Sequence, residues 1–596
     1  MFADQAQSFP PILFDFFPGA PYRDRTAWAA VPESLRTAVV ADAQAALDRP
    51  WPVLSATGYR QFCLTGERAG YEEAYFERRR TLNHLALAEL LEGRGRFLDR
   101  IVDAIFSICE ESGWQLPAHN ADERGRQRRP LPDVEQPIID LFSAETGASL
   151  SVLATLLAQP LDAIDPLVVA RVKHEVHQRI LAPYLGRHFW WMGRGCDRMN
   201  NWTAWITQNV LLATFCLATD DDVRRQVAGK ALCSLDAFIK DYAADGGCDE
   251  GVVYYRHAAL CLHGAMTILD AVAPGAMMPL WAVEKIRNMA EFIVNMHVEG
   301  RQFFNFADSA AVIDACTVRE YRFGQAVGSR SLAAFAARNR SLADQPHLPN
   351  EWSLWYRVQE LLTGHHVERG VEVIPATDAL YPGIGLFVAR DNRFALAVKG
   401  GNNGESHNHN DVGSVTLYRD GKPLLIDVGV ETYTARTFSP RRYDIWTMQS
   451  GFHNLPSFGG IMQSAGEQFG ARDVDATFDA GRARVCLDLA AAYPAQAQVR
   501  SYRRTVTLQR GQFVEIVDEH DGDLPAVLSL MVCAEPSIEG CTIRLESLGR
   551  VELDGAGPVT IEEIAVDDAR LRASWPAHIY RLQVPLAGPC LKLRII

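Results

Sequence analysis

Apolar residues recur with two different periods along the chain, and the change of period divides it. From about residue 30 to about residue 365 the spacing is helical. In 94–112 the residues Phe97, Ile101, Ala104, Ile105 and Ile108 lie at i, i+4, i+7, i+8 and i+11, which places them on one helix face. The spans 201–217, 223–242, 255–272 and 280–297 carry the same stripe. Turn-rich joints such as ATDDD and AVAPGAM separate them. So many amphipathic helices bury their apolar faces most simply as stacked pairs. No repeat is regular enough to indicate a named solenoid.

After about residue 370 apolar and polar residues alternate. GIGLFVARDNRFALAVKGG and SVTLYRDGKPLLIDVG each hold a tight turn, Asp391-Asn392 or Asp420-Gly421, as a hairpin requires. RRTVTLQRGQFVEIVDEHDGD repeats the pattern around Arg510-Gly511, and short strands continue to Ile596. The pattern predicts an antiparallel sheet domain of sandwich type. The stretch HHVERGVEVIPATDALYPG marks the boundary. The expected organisation is a helical domain over 1–370 followed by a β domain over 371–596.

Composition narrows the function. With 59 Lys and Arg against 73 Asp and Glu, the formal net charge is −14. An acidic chain is a poor general binder of nucleic acid or anionic membrane. No apolar run is long enough to span a bilayer. The twelve cysteines are scattered and form no CxxC pair, which suits reduced thiols rather than a disulfide framework. The N-terminal stretch lacks a basic region and is broken by Pro10, Pro11 and Pro18, so it does not read as a secretory signal. The expected compartment is the cytoplasm, or the periplasm for a chain whose leader has been removed.

Chemistry concentrates in two places. In GGNNGESHNHNDVGSVTLYRDGKPLLIDVG, His407 and His409 are two residues apart and face one side of an extended strand. Asp427 follows one hairpin later, and His453 follows in GFHNLPS. Any three of these four would make a divalent-metal site. The bland alternative is polar loop residues bonding the backbone. In the helical half, Asn200-Asn201-Trp202 opens a helix, where Asn also serves as an ordinary cap. DGGCDEGVVYYRH brings together Asp245, Asp249, Glu250, Tyr254, Tyr255, Arg256 and His257. A tyrosine on a helix face is usually packing, but cationic neighbours can turn it into a proton-transfer group. Four readings remain open on residue chemistry alone. A lyase would use an amide, a phenol and an imidazole to cleave a uronate chain by β-elimination. A glycoside hydrolase would use paired carboxylates. A non-haem iron oxygenase would use two histidines and a carboxylate. A binding protein would use a metal only to pin loops.

Three motifs, Asn201-Trp202, DGGCDEGVVYY and HNHND followed by PLLIDVG, resemble those of the heparinase II/III-like polysaccharide lyases. The resemblance implies an α+β multidomain chain, an N-terminal incomplete (α/α) toroid followed by a C-terminal antiparallel β-sandwich. It implies a carbon–oxygen lyase that cleaves uronic-acid-containing glycans, of glycosaminoglycan or alginate type, to 4,5-unsaturated uronates. Asn201 would neutralise the substrate carboxylate, and Tyr255, five residues after Glu250, would be the catalytic phenol, with Tyr254 beside it. His407 would be the catalytic imidazole. His409, Asp427 and His453 would hold one structural divalent metal, zinc by preference, with manganese or calcium as alternatives. Trp202, Trp205, Arg198, Glu250, Arg256 and Arg436, together with Arg194, are the residues expected to bind substrate. The expected partner is an acidic oligo- or polysaccharide, without nucleic acid or membrane, and with homo-oligomerisation left open. The chain departs from the family pattern at Val252-Val253, where members often carry Ser-Pro.

Overall fold

A computed structural model describes residues 1–123, 125–194, 197–217, 220–367, 374–546 and 548–596. The stripe in 94–112 forms the helix Leu98–Cys109, and Phe97, Ile101, Ala104, Ile105 and Ile108 are all fully buried. Helices Asn201–Leu217, Asp221–Asp241 and Val252–Val272 form where the periodicity predicts them. The expected helix over 280–297 is divided. A single turn, Met278–Trp281, carries Pro279 in its first turn, where the missing N–H costs nothing, and a new helix runs Glu284–Met296. Side chains set the starts of others. Asp140 accepts the Ser143 N–H ahead of Leu141–Leu156, and Thr317 with Glu320 forms a capping box ahead of Val318–Ala326.

Contacts divide the chain into two units. The first comprises Met1–Asp241, Arg256–Arg287 and Ala315–Val373. Within it Asn201–Leu217 packs against both Leu141–Leu156 and Asp221–Asp241, as stacked pairs require. The second unit comprises Tyr242–Tyr255, Asn288–Asp314 and Ile374–Ile596. The expected cut at residue 370 falls in 368–373, outside the described residues. A single cut there does not describe the chain, because two earlier segments fold with the second unit. Polar anchors explain why: the Asn305 amide donates to the Asp427 carbonyl at 3.0 Å, and Ser574 Oγ lies 3.3 Å from the Val312 nitrogen.

The second unit is built from antiparallel sheets. The predicted hairpins form as Leu386–Arg390 with Phe394–Lys399, Val415–Arg419 with Lys422–Leu425, and Val499–Gln509 with Phe513–Gly522. The turn Asp420-Gly421 has φ of 49° and 74°, which suits the primed turns of two-residue hairpins. The first two hairpins, with Ala379–Tyr381, make a five-stranded sheet. The third belongs to an eight-stranded sheet, and Ala526–Val532 and His578–Pro585 lie at the centre of a four-stranded one. Leu396 and Leu417, Val506 and Leu593, and Leu528 and Leu582 come from these three sheets and share one buried core. Among the described residues no single helix is long and apolar enough to cross a membrane.

Candidate active site

The second unit gathers its polar side chains around one buried carboxylate, Asp308. Gly251 makes this approach possible. A Cβ there would lie 2.6 Å from the Ser309 Cβ and 3.1 Å from the Phe306 carbonyl oxygen, and its φ is 83°. The lack of a side chain lets the turn carrying Glu250 and Tyr254 close on the segment carrying Asp308. His407 has φ of 54°, a conformation uncommon for a residue with a Cβ. Such local strain persists only where surrounding contacts hold it. Here Arg442 holds the backbone, donating from Nη2 to the His407 carbonyl at 2.8 Å and from Nε to the Asn408 carbonyl at 2.9 Å.

Asp308 Oδ2 lies 2.7 Å from His407 Nδ1 and accepts the Tyr433 hydroxyl at 3.0 Å. Oδ1 lies 3.1 Å from His409 Nε2 and accepts Arg442 Nη2 at 2.6 Å. Burial opposes ionisation of this carboxyl, but hydrogen bonds from His407 and His409 and the charge of Arg442 hold it well below the usual carboxylate range. On its other side the His407 ring presents Nε2 to Glu250, 3.5 Å away. Glu250 is buried and accepts the Ser406 hydroxyl at 2.9 Å. Burial pushes its carboxyl up to about 7, against the opposing charge of His407.

The two adjacent tyrosines have different environments. They are about 100° apart around their helix, so they face different surroundings. Tyr254 is half-buried, its ring centroid is 4.5 Å from that of His407, and its hydroxyl hydrogen-bonds that of Tyr433. Burial and then the Asp308 charge push its phenol up, so it is protonated near neutral pH. Tyr255 is fully buried and donates its hydroxyl to the Ala290 carbonyl at 3.0 Å. The phenol beside His407 is therefore Tyr254, not the Tyr255 expected from the spacing to Glu250.

The four metal candidates separate. His407 is engaged with Asp308, whereas His409, Asp427 and His453 bring donor atoms within 4.8 Å of one another. All three are buried, and Nδ1 of His409 has no hydrogen-bond partner. His409 turns Nε2 to Asp308, and His453 turns Nε2 toward the Thr447 carbonyl at 3.2 Å. His453 Nδ1 faces Asp427 Oδ2 at 3.1 Å, while Asp427 Oδ1 accepts the Gly429 N–H at 2.8 Å. One orphaned imidazole nitrogen, on His409, beside a second that faces an oriented carboxylate fits a divalent cation. Such an ion would fix the loop that carries His407.

The remaining expected residues are held in several ways. Asn200 is the one that caps its helix, with Oδ1 3.2 Å from the Trp202 nitrogen. Asn201 is buried, and its Oδ1 has no hydrogen-bond partner. Trp202 meets His119 edge-on at 4.8 Å, and Trp205 stacks on His257 at 4.1 Å. Arg256 lies 3.2 Å from Glu320 and donates to the Ala315 carbonyl at 3.0 Å, so its guanidinium is engaged within the protein. Arg194, Arg198 and Arg436 are exposed. The sequence reading did not include Asp308, Tyr433, Arg442 or Arg570. Arg570 donates to the Asp308 carbonyl at 2.9 Å and lies 4.4 Å over the Tyr433 ring. The one available signal was a lone carboxylate within the apolar run FFNFADSAAV.

Trp205 also donates its indole N–H to buried Glu145 at 3.2 Å. Burial, then the charge of Glu351, pushes the Glu145 carboxyl from 4.5 up to about 8. Between those limits the unfolded chain releases this proton and the folded chain keeps it. Glu145 therefore makes stability fall as pH rises through that window, by about 1.4 kcal/mol per pH unit. Glu145→Gln is neutral and nearly isosteric, so it is expected to flatten that slope in urea denaturation measured at several pH values. An unchanged slope would show that Glu145 titrates normally.

Residues 374–571 match the family model described as heparinase II/III-like, C-terminal. This segment is similar to heparinase II/III-like C-terminal domains. It carries His407, His409, Asp427, Tyr433, Arg442 and His453. No curated protein sequence matches the chain significantly. Among solved structures, heparinase III is similar with a TM-score of 0.65 at 12% identity, covering 99% of this chain and 88% of that one. A mutant of the heparan sulfate lyase HepC from Pedobacter heparinus gives 0.61 at 14% identity, covering 100% and 87%. A mutant of chondroitin AC lyase from Streptomyces coelicolor A3 gives 0.53 at 12% identity, covering 97% and 82%. The fold is thus an N-terminal incomplete (α/α) toroid followed by a C-terminal antiparallel β-sandwich, as expected from the sequence.

Proposed function

We propose that the chain is a polysaccharide lyase that cleaves uronate-containing glycosaminoglycans by β-elimination. The observation that carries this reading is the pairing of the Tyr254 phenol with the His407 imidazole, at 4.5 Å between rings, within a heparinase II/III-like setting. The similar solved structures include a heparan sulfate lyase and a chondroitin AC lyase, which supports this substrate class.

β-Elimination removes the proton on C5 of the uronate, forms the C4–C5 double bond and breaks the bond from C4 to the glycosidic oxygen. Tyr254, protonated at rest, gives its proton to that departing oxygen. Where C5–H and the oxygen lie on one face of the sugar, Tyr254 first passes its proton along the hydrogen bonds to Tyr433 and Asp308, takes the C5 proton as phenolate, and delivers that proton to the departing oxygen. Where they lie on opposite faces, His407 is the base in its neutral form, its Nδ1 proton directed to Asp308 and its Nε2 an acceptor once the proton there has passed to Glu250, 3.5 Å away. Asn201 neutralises the uronate carboxylate, by the sequence resemblance, and stabilises the enolate-like charge that develops. His409, Asp427 and His453 would hold a divalent ion, which would supply structural charge compensation there. The ligands are all buried, which suits a structural ion rather than an oxygen-activating centre open to substrate. The protein side chains carry the proton transfers.

A panel of heparan sulfate, chondroitin sulfate, hyaluronan and alginate tests the reading. The expected result is ultraviolet absorbance of an unsaturated uronate growing with at least one glycosaminoglycan. New reducing ends without that absorbance would replace the lyase with a hydrolase. Oxygen consumption with bound iron would replace it with an oxygenase.

A further inference from the structure

The helical unit contains a cavity of about 270 Å³ among the helices Val252–Val272, Val318–Ala326 and Leu354–Thr363. Arg319 and Arg322, one turn apart, both line it. Among the described residues neither has a carboxylate within ion-pair distance, in a chain whose formal charge is −14. Glu320 and Glu351 act on Arg319, and Glu360 on Arg322, only at longer range. Glu320 is instead beside Arg256, and Glu360 is beside Arg340. Arg319 is only 8% exposed, its guanidinium lies 3.5 Å over the Tyr356 ring, and its Nη2 has no hydrogen-bond partner.

Two neighbouring guanidiniums with no carboxylate in ion-pair contact repel each other, and the buried one retains an unsatisfied donor. Neutral polar groups complete the lining: His263, Thr267, Gln325 and Gln359. His263 is 7% exposed, and burial followed by the two arginine charges lowers its pKa to about 3, so it adds no further positive charge. Trp355 provides an apolar wall. Arginine forks match the geometry of sulfate, phosphate and carboxylate oxygens, and neutral donors satisfy the remainder.

We propose that this cavity is a binding site for the oxyanion group of a small solute, held by Arg319 and Arg322 as its counter-charges. The site is independent of the lyase reading, because its residues and those around Asp308 are different.

Calorimetric titration of the full chain tests it, with inorganic sulfate, inorganic phosphate and N-acetylglucosamine 6-sulfate as probes in dilute chloride buffer. The expected result is saturable binding of at least one probe, weakened by added salt. Arg322→Gln, at a half-buried position, should weaken that binding by about tenfold or more, and Gln359→Leu by a smaller factor, both with unchanged circular dichroism. Binding of the inorganic ions supports the site as one for free oxyanions. Binding of the sulfated sugar alone supports it as one for sulfated saccharides. No saturable binding of any probe overturns the proposal, as does binding that survives both substitutions within about twofold.

Discussion

Tyr254→Phe should lower turnover of the cleaved glycan by about 10²–10⁴-fold, the range for a lost general acid or base, and leave the fold intact. Tyr255→Phe should keep turnover and instead lower stability by about 1–3 kcal/mol, because it leaves a buried carbonyl without its donor. The two effects separate because the two hydroxyls face different surroundings. The Tyr254 hydroxyl reaches Tyr433, whose own hydroxyl reaches Asp308 at 3.0 Å, so it belongs to the network that holds His407. The Tyr255 hydroxyl donates to the Ala290 main-chain carbonyl at 3.0 Å. Initial rates by ultraviolet absorbance and urea denaturation of both variants make the comparison. A folded but inactive Tyr255→Phe, beside an active Tyr254→Phe, would return the catalytic phenol to the position that spacing suggested.

That pair of tyrosines shows where the sequence was legible and where it was not. Periodicity located the helix around Ile105 because its five apolar positions could be satisfied only by one face. Asp420-Gly421 located a hairpin because few residue pairs accept positive φ. Residue chemistry narrowed the metal ligands only to three of His407, His409, Asp427 and His453, and the family resemblance selected the last three; the expected strand alternation does not form, since His407 lies in a turn at positive φ and His409 in the loop after it. A one-residue choice on a helix is different. Whether Tyr254 or Tyr255 faces His407 depends on how Val252–Val272 is rotated in its packing, which neighbouring residues in sequence do not specify. Asp308 was invisible for a related reason. It lies about one hundred residues before the histidines it orients, in a segment that folds with the sheets although helices flank it on both sides. The oxyanion cavity was equally hidden, since a missing carboxylate partner has no sequence signature.

Asp308→Ala should give the largest combined loss in the molecule. This carboxylate is the only group described here that touches His407, His409, Tyr433 and Arg442 at once, at 2.7, 3.1, 3.0 and 2.6 Å. Its removal strands the Arg442 charge in a buried position and leaves the Tyr433 hydroxyl and two imidazoles without their shared acceptor. Breaking a buried ion pair from one side costs about 3–5 kcal/mol, so the variant should unfold at markedly lower urea concentration. His409 also loses the partner on Nε2 that turns Nδ1 toward Asp427 and His453, and loss of such an orienting carboxylate weakens metal binding by about 10–100-fold. Turnover should fall with both. Asp308→Asn separates the contributions: it retains size and one acceptor oxygen, so it should recover part of the stability while His407 remains wrongly held and turnover stays low. Titration of each variant with zinc, manganese and calcium, beside urea denaturation and rate measurements, gives three independent readouts. Wild-type values in all three for Asp308→Ala would mean that the imidazoles are positioned without this carboxylate, and the site would have to be rebuilt around Glu250 alone.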